Sequence, residues 1–282
     1  MVTATPKVSV VIPAYNNADF IAETIESVLA QTFTDFELII ADHSSTDDTK
    51  AIIERYADDP RVTILTTPAG GGAPRNWNRV TEAAQGEYIK LVCGDDLVYP
   101  DNLRLQLQAI ETDPSVTMVA SPRDIIDARG AVVISNRGLG GLTGTTPGAA
   151  AVRRTVAAGT NLFGEPGCVL IRRSTLVEIG LWDPRFPYLI DEATYARVLL
   201  QGSLVTVDVP LAAFRLSDTQ WSVELAQEQS SQAAAFHRWV RVEHPDVVSA
   251  RDVAIGNARA AVLARLRRIV YWRLRARMKV TV

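Results

Sequence analysis

Four short apolar runs, at residues 8–12, 36–41, 62–65 and 88–93, alternate with stretches of helical periodicity, and this alternation constrains the fold most. The first two runs are broken only by Ser9 and Glu37, as expected of strands buried on both faces. Between them Phe20, Ile21, Ile25, Val28 and Leu29 fall on one helical face. A second helix is expected over 47–56, where Ser and Thr caps lead to Ile52, Ile53 and Tyr56. A third follows the Pro68 and Gly70-Gly71-Gly72 break, over 75–84. Leu103, Leu107 and Ile110 mark a fourth, with Pro100 at its start. Such β-α-β-α order predicts an α/β chain with a doubly wound, mostly parallel sheet. Ligands bind beyond the carboxyl ends of such strands.

After a fifth strand at 116–120 the order loosens. Residues 138–148, rich in Gly and Thr without periodicity, predict a mobile loop. Strands at 169–171, 205–207 and 212–216 and helices at 191–200, 224–242 and 253–278 complete the expected elements.

The 282 residues, 47% hydrophobic and 22% charged, suit a globular enzyme. Charge is unevenly spread: eight basic residues and no acidic one follow Asp252, so residues 1–252 hold 21 basic against 32 acidic groups. An acidic body argues against a nucleic-acid partner. Cys93 and Cys168 stand far apart in apolar surroundings, which suits buried thiols in a reducing compartment rather than a disulfide or zinc site. The run at 8–12, closed by Pro13, is too short for a signal peptide. No stretch reaches the roughly 18 apolar residues of a membrane span, so a cytoplasmic location is expected.

Four features recur at strand ends. Asp95-Asp96 comes one glycine after the 88–93 run. Two carboxylates there repel each other, and the simplest resident between them is Mg²⁺ or Mn²⁺ holding a diphosphate. Pro13-Ala14-Tyr15-Asn16 follows the first strand and offers a ring to a planar base. Asp42 follows the second and leads into a helix start, where a carboxylate can accept from a base or ribose. Arg75-Asn76 follows the glycine loop and brings positive charge toward a diphosphate. Singly these are a solvated turn, a core aromatic, helix caps and a surface charge. Four in this order on one sheet edge point to a nucleotide site.

The stretch Val8-Ser9-Val10-Val11-Ile12-Pro13-Ala14-Tyr15-Asn16, then Ser27-Val28-Leu29-Ala30-Gln31-Thr32-Phe33, then residues 42–49, resembles the N-terminal signature of family 2 inverting glycosyltransferases of the GT-A fold. Gly86-Glu87-Tyr88-Ile89 leading into Asp95-Asp96 and Pro100 is similar to their aspartate motif. Arg172-Arg173-Ser174, Gly180-Leu181-Trp182-Asp183, and Asp191 with Arg197 and Gly202 resemble the segment around their catalytic acidic motif. The likeness covers about residues 7–217. It implies a nucleotide-sugar-binding half at 1–120, an acceptor and catalytic half at 121–222, and a helical extension at 223–282. It also implies that Pro13, Tyr15, Asp42, Arg75 and Asp95 bind the nucleotide-diphospho-sugar and that Asp95 and Asp96 hold Mn²⁺ or Mg²⁺. Asp191 would be the general base toward a glycan or lipid-linked acceptor. Cys93 stands where the family usually has an acidic residue, His43 where it has a second one. Ser217 stands where many members carry a His, with Asp218 as a substitute. Two rivals remain at this stage. A sugar-nucleotide nucleotidyltransferase would need glycine and lysine straight after the first strand, where Ala14-Tyr15-Asn16-Asn17 stands; a binding protein without catalysis would bind donor and not turn it over.

The tail lies outside the likeness. Val262, Leu263, Leu266, Ile269, Val270 and Leu274 share a helical side, opposed by Arg265, Arg268, Arg275 and Lys279, with Tyr271 and Trp272 as interfacial aromatics. Residues 259–282 therefore suit docking on anionic lipid at the inner face of the plasma membrane. Packing on the acidic body and a homodimer contact are the alternatives.

Overall fold

The computed structural model describes residues 5–217, 229–274, 277 and 278. Asp218, Arg275, Lys279 and the first residues of the expected 224–242 helix lie outside the described residues, as do the side chains of Tyr271 and Trp272. The chain opens with β1 (Val8–Ala14), α1 (Ile21–Leu29), β2 (Phe36–Asp42), α2 (Thr49–Glu54), β3 (Val62–Thr66), α3 (Gly72–Ala83) and β4 (Tyr88–Leu91). It continues through β5 (Leu97–Val98), α4 (Asn102–Ile110), β6 (Val116–Ala120), β7 (Arg123–Ile126), β8 (Val132–Arg137), β9 (Thr145–Pro147) and α5 (Gly148–Ala158). Then come β10 (Val169–Arg172), α6 (Arg173–Glu178), α7 (Ile190–Leu199), β11 (Ser203–Thr206), β12 (Ala212–Arg215), α8 (Gln229–Glu243) and α9 (Ala250–Leu274).

The main sheet runs β3-β2-β1-β4-β10-β6-β11-β9. β3, β2, β1 and β4 are parallel. β10 inserts antiparallel between β4 and β6, and β11 is parallel to β6. Val8, Val10, Val11, Ile12, Leu38, Ile39 and Ile40 are buried on both faces of this sheet, which is why their runs lack alternation. Register matters for function: Ala14 pairs with Asp42 and Asp42 with Thr66, so three strands end level. β4 stops at Leu91 instead of Cys93, because Val92 donates to the Val11 carbonyl and the chain then turns, with Asp96 N–H on the Cys93 carbonyl.

A second sheet, β5-β12-β7-β8, is absent from the sequence reading. β5 has two residues and β8 is exposed along nearly its whole length, so neither carries an alternating pattern. The loop expected at 138–148 gives way to strand at β9, which pairs with β11, and to α5 from Gly148. Five of the eleven residues of α5 are Ala, which carries little periodicity.

The basic tail packs on the body. Ala260 and Ala264 of α9 are buried, and Gly256 lies so close to α5 that a Cβ there would stand 2.0 Å from the Val156 carbonyl oxygen. Arg153 pairs with Asp252 at 3.0 Å, and Arg259 donates to the Ala157 carbonyl at 2.8 Å. Arg277 reaches Asp127 at 2.8 Å, while Met278 packs with Ile125 and Leu216. The alternative of packing on the body therefore holds for one face of α9. Its other face leaves Val262, Leu266, Ile269 and Val270 exposed. Among the described residues no helix is long and apolar enough to cross a membrane.

Candidate functional site

The level strand ends place three sequence-derived residues together. Asp42 is buried at the end of β2, its carboxylate facing the Ser45 N–H at 3.4 Å. Tyr15 follows β1 and is 56% exposed, its ring 5.9 Å from that of His43. The exposed Tyr15 ring can stack on a base, while the buried His43 backs it and the Asp42 carboxylate can accept from the ligand. Pro13 belongs to β1 itself, paired with Ala41. The loops that follow are held in left-handed backbone at Asn16 and Ser44, with φ of 49° and 56°. They lock onto each other: Asn16 N–H donates to Ser45 Oγ, and Thr46 N–H to Asn16 Oδ1. Such conformations in non-glycine residues persist only where surroundings over-determine them, commonly at ligand sites.

Arg75 sits exposed at the start of α3, donating to the Ala69 carbonyl at 3.1 Å. Its neighbour Asn76 is buried and acts differently from the charge-bearing pair the sequence suggests. It donates to the carbonyls of Ala14 and Ala41 and accepts from Thr67 at 2.6 Å, clamping three strand ends.

Asp95 is half-buried and Asp96 buried. Burial, then the charge of Asp95, pushes the Asp96 carboxyl well above the usual range. Arg215, at the end of β12, ties the pair down. Its N–H donates to Asp96 Oδ1 at 3.0 Å and its Nε to the Asp95 carbonyl at 2.9 Å. Its Nη2 reaches Glu23 at 2.6 Å, with the guanidinium over the Phe20 ring. Nothing in the sequence pattern gives Arg215 this role. Among the described residues no group of three His, Cys, Asp or Glu side chains forms a metal cluster on its own.

Asp191 stands in the first turn of α7. Burial pushes its carboxyl to about 7, with the Glu165 charge adding to the rise, against hydrogen bonds from the Glu192 N–H at 2.8 Å and Asn161 Nδ2 at 2.9 Å. Glu192, next in sequence, is buried and accepts from Thr155 Oγ1 at 3.0 Å; burial and the Asp191 charge push it to about 8. The Cys93 thiol is pushed far up by burial, with the charges of Asp96, Asp95, Asp191 and Glu165 adding to the rise. Glu165 pairs with the buried Arg123 of β7 at 2.5 Å. Asn161, Glu165 and Arg123 were missed because they lie in aperiodic segments. Arg197 and Gly202 have packing roles: Arg197 faces Asp183 at 3.7 Å, and a Cβ at Gly202 would stand 2.3 Å from the Ser115 carbonyl oxygen.

A cleft of about 560 Å³ opens beside Asp191. Arg123, Asn161, Glu165 and Asp191 line it together with residues of α9, Arg267 among them.

Comparison with known proteins agrees with this geometry. The model of the family described as Glycosyl transferase family 2 matches residues 9–180. An uncharacterised protein of Mycobacterium tuberculosis (strain CDC 1551 / Oshkosh) is 31% identical over 75% of this chain and 68% of its own. A teichuronic acid biosynthesis glycosyltransferase of Bacillus subtilis (strain 168), itself assigned only provisionally, is 38% identical over 36% of this chain and 41% of its own. The chain spans less than half the length of most curated relatives it matches. Among solved structures, S. aureus TarS 1–349 with UDP-GlcNAc superposes with a TM-score of 0.68 at 19% identity, over 84% of this chain and 66% of that one. The mannosyltransferase PcManGT of Pyrobaculum calidifontis, with GDP-Man and Mn²⁺, gives 0.63 at 16%, over 96% and 81%. These likenesses establish the GT-A fold.

Proposed function

Because the chain belongs to glycosyltransferase family 2, we propose that it moves a sugar from a nucleotide-diphospho-sugar to an acceptor hydroxyl with inversion at the anomeric carbon, in bacterial envelope or related glycan synthesis. One observation carries this reading. Tyr15 and Asp42 stand at the level ends of adjacent strands, Asp95-Asp96 follow the neighbouring parallel strand, and Asp191 has a carboxyl pushed to about 7. A base with its pKa near the working pH is the efficient choice for taking a proton from a sugar hydroxyl.

Tyr15 would stack on the base, Asp42 would accept from base or ribose, and Arg75 would approach the diphosphate. Asp95 and Asp96 suit a hard divalent cation, because the half-buried Asp95 and buried Asp96 repel each other and Mg²⁺ or Mn²⁺ needs only one or two carboxylates when phosphates complete its shell. Bound there, the cation would offset charge on the departing diphosphate. Arg215 holds both residues of the pair from behind, and Asn161 fixes the Asp191 carboxylate toward the cleft. The donors to test first are those bound by the two structural neighbours. Incubation with UDP-GlcNAc and GDP-Man, each with Mn²⁺, and NMR of the product should show an inverted linkage. Retention of configuration would overturn the reading. Donor binding with neither transfer nor hydrolysis would favour the alternative, a catalytically impaired nucleotide-sugar-binding protein, which the half-buried thiol of Cys93 at a usually acidic position supports.

A further inference from the structure

The cleft beside Asp191 is lined by hydrogen-bond donors that nothing in the described chain satisfies. Gln229, at the start of α8, is 5% exposed and lines this cleft. Its Oε1 accepts from Arg267 Nη1 at 3.0 Å. That bond fixes how the amide is turned, because Nε2 facing a guanidinium would set donor against donor. Nε2 is then a buried donor without a hydrogen-bond partner, which is costly unless something from outside the chain completes it. Arg267 extends the donor set from α9. Both its hydrogen bonds, to the Tyr188 hydroxyl at 2.6 Å and to Gln229, come from Nη1. Among the described residues Nε and Nη2 meet no acceptor, and no carboxylate pairs with the guanidinium. The carboxyls sharing the cleft are engaged elsewhere. Glu165 pairs with Arg123 at 2.5 Å, and Asp191 accepts from Asn161 and from the Glu192 N–H. Glu192 accepts from Thr155 and holds its proton up to about 8. A guanidinium beside an amide NH₂ group offers donors and no free acceptor. A sugar hydroxyl, which donates as well as accepts, suits that set poorly. A carboxylate or phosphodiester oxygen only accepts, and brings the one negative charge that the guanidinium matches.

We propose that Arg267 and Gln229 form an anion subsite in this cleft, and that the acceptor carries a singly charged acidic group there, a sugar carboxylate or a phosphodiester. Naming the occupant as the acceptor rests on Asp191 being the base of the proposed transfer; the donor set itself does not. The Arg267 charge is felt by Glu192, the residue after Asp191, so the acid lies close to the hydroxyl that reacts. α9 is thus part of the substrate site as well as a structural buttress, and it selects acidic acceptors over neutral ones.

The test uses the full chain at low ionic strength, with binding read by calorimetry. The probes are methyl β-glucuronide, methyl β-glucoside 6-(methyl phosphate) and the neutral methyl β-glucoside, together with the corresponding galactosides. At least one acid should bind about ten- to hundredfold more tightly than its neutral counterpart, as charge-assisted hydrogen bonds allow. Whichever acid binds tighter, carboxylate or phosphodiester, identifies the source of the charge. Gln229→Glu keeps the side-chain shape and the contact with Arg267 but places a fixed anion on the guanidinium. It should erase the preference for acids, with UDP and GDP binding as in the parent showing that the fold is intact. Arg267→Gln should erase the preference as well, and Arg267→Lys should keep part of it. Arg265→Gln, an exposed position on α9 outside the cleft, should leave it unchanged. Equal affinity for acidic and neutral glycosides in the parent would overturn the proposal, as would a preference that survives in both Gln229→Glu and Arg267→Gln. The base assignment fails separately: normal transfer by Asp191→Asn would remove the catalytic reading and leave the preference for acids standing.

Discussion

The two sides of the site are built by different means. On the donor side, Tyr15, Asp42, Asp95 and Asp96 lie within five residues of the ends of parallel strands, and backbone pairing fixes where those ends fall. The clamp is local too, with Asn76 reaching two adjacent strand-end carbonyls. On the acceptor side, Asp191 opens a helix, Asn161 and Glu165 sit in irregular chain, Arg123 comes from a second sheet, and one wall belongs to a helix about seventy residues further on. Ion pairs and side-chain hydrogen bonds hold that side: Arg123 to Glu165, Asn161 to Asp191, Arg267 to Tyr188 and Gln229. A rigid donor edge facing a side assembled from distant segments allows acceptor preference to change without disturbing nucleotide binding.

The sharpest way to break this comparison is at Asp191. Asp191→Asn should retain nucleotide affinity and lose roughly 10²–10⁴-fold in transfer rate. In the parent protein the base works ionised, so with a carboxyl near 7 the rate should climb as pH rises through 7 and level above it. If Glu192→Gln abolishes transfer while Asp191→Asn does not, the base is the deeper carboxyl and the acceptor side is organised one residue away.

A smaller loss tests the donor edge. Asp95→Asn should weaken Mn²⁺-dependent donor binding by about tenfold or more while leaving methyl β-glucuronide binding untouched. Full donor affinity in excess chelator would remove the cation from the site.

The same division explains what could be foreseen. Runs such as Val8-Ser9-Val10-Val11-Ile12 are buried on both faces, so composition alone marks the strand, and a functional residue just past such a run is conspicuous. Asp42 and Asp95-Asp96 were visible for that reason. Arg215 was not, because its role comes from contacts to Asp95, Asp96 and Glu23, which lie 120, 119 and 192 residues away. β8 was invisible because it is exposed, and β5 because two residues carry no period. In α9 the apolar stripe suggested a membrane-facing helix, whereas small residues, Gly256, Ala260 and Ala264, make its contact with the body.

Gly256 sharpens that last point. Were α9 a detached tail, Gly256→Ala would stabilise it by up to about 1 kcal/mol through helix propensity. A Cβ there meets the Val156 carbonyl, so the exchange should instead cost about 1–3 kcal/mol, lowering the melting temperature by a few degrees. A raised melting temperature would mean that the close approach of α5 and α9 is absent in solution.

The smallest expected effect separates the two neighbouring carboxyls by stability. Burial and the Asp191 charge raise Glu192 from its unfolded value near 4.5 to about 8. The folded protein therefore keeps this proton to a higher pH than the unfolded chain does. The resulting contribution is complete below about pH 4.5 and is lost as pH rises through 8, above which the wild-type fold holds a buried charge. Glutamine preserves the shape and stays neutral at every pH, although its amide can also accept from Thr155. Glu192→Gln should thus gain stability relative to wild type between pH 5 and pH 9. A gain of about 1–2 kcal/mol, or roughly 2–4 °C in melting temperature, is expected, reduced by the favourable charge of Arg267 nearby. A difference between the two proteins that stays flat across this range would show that Glu192 ionises freely. Its carboxylate would then be open to the cleft, and the acceptor side would present two available bases instead of one.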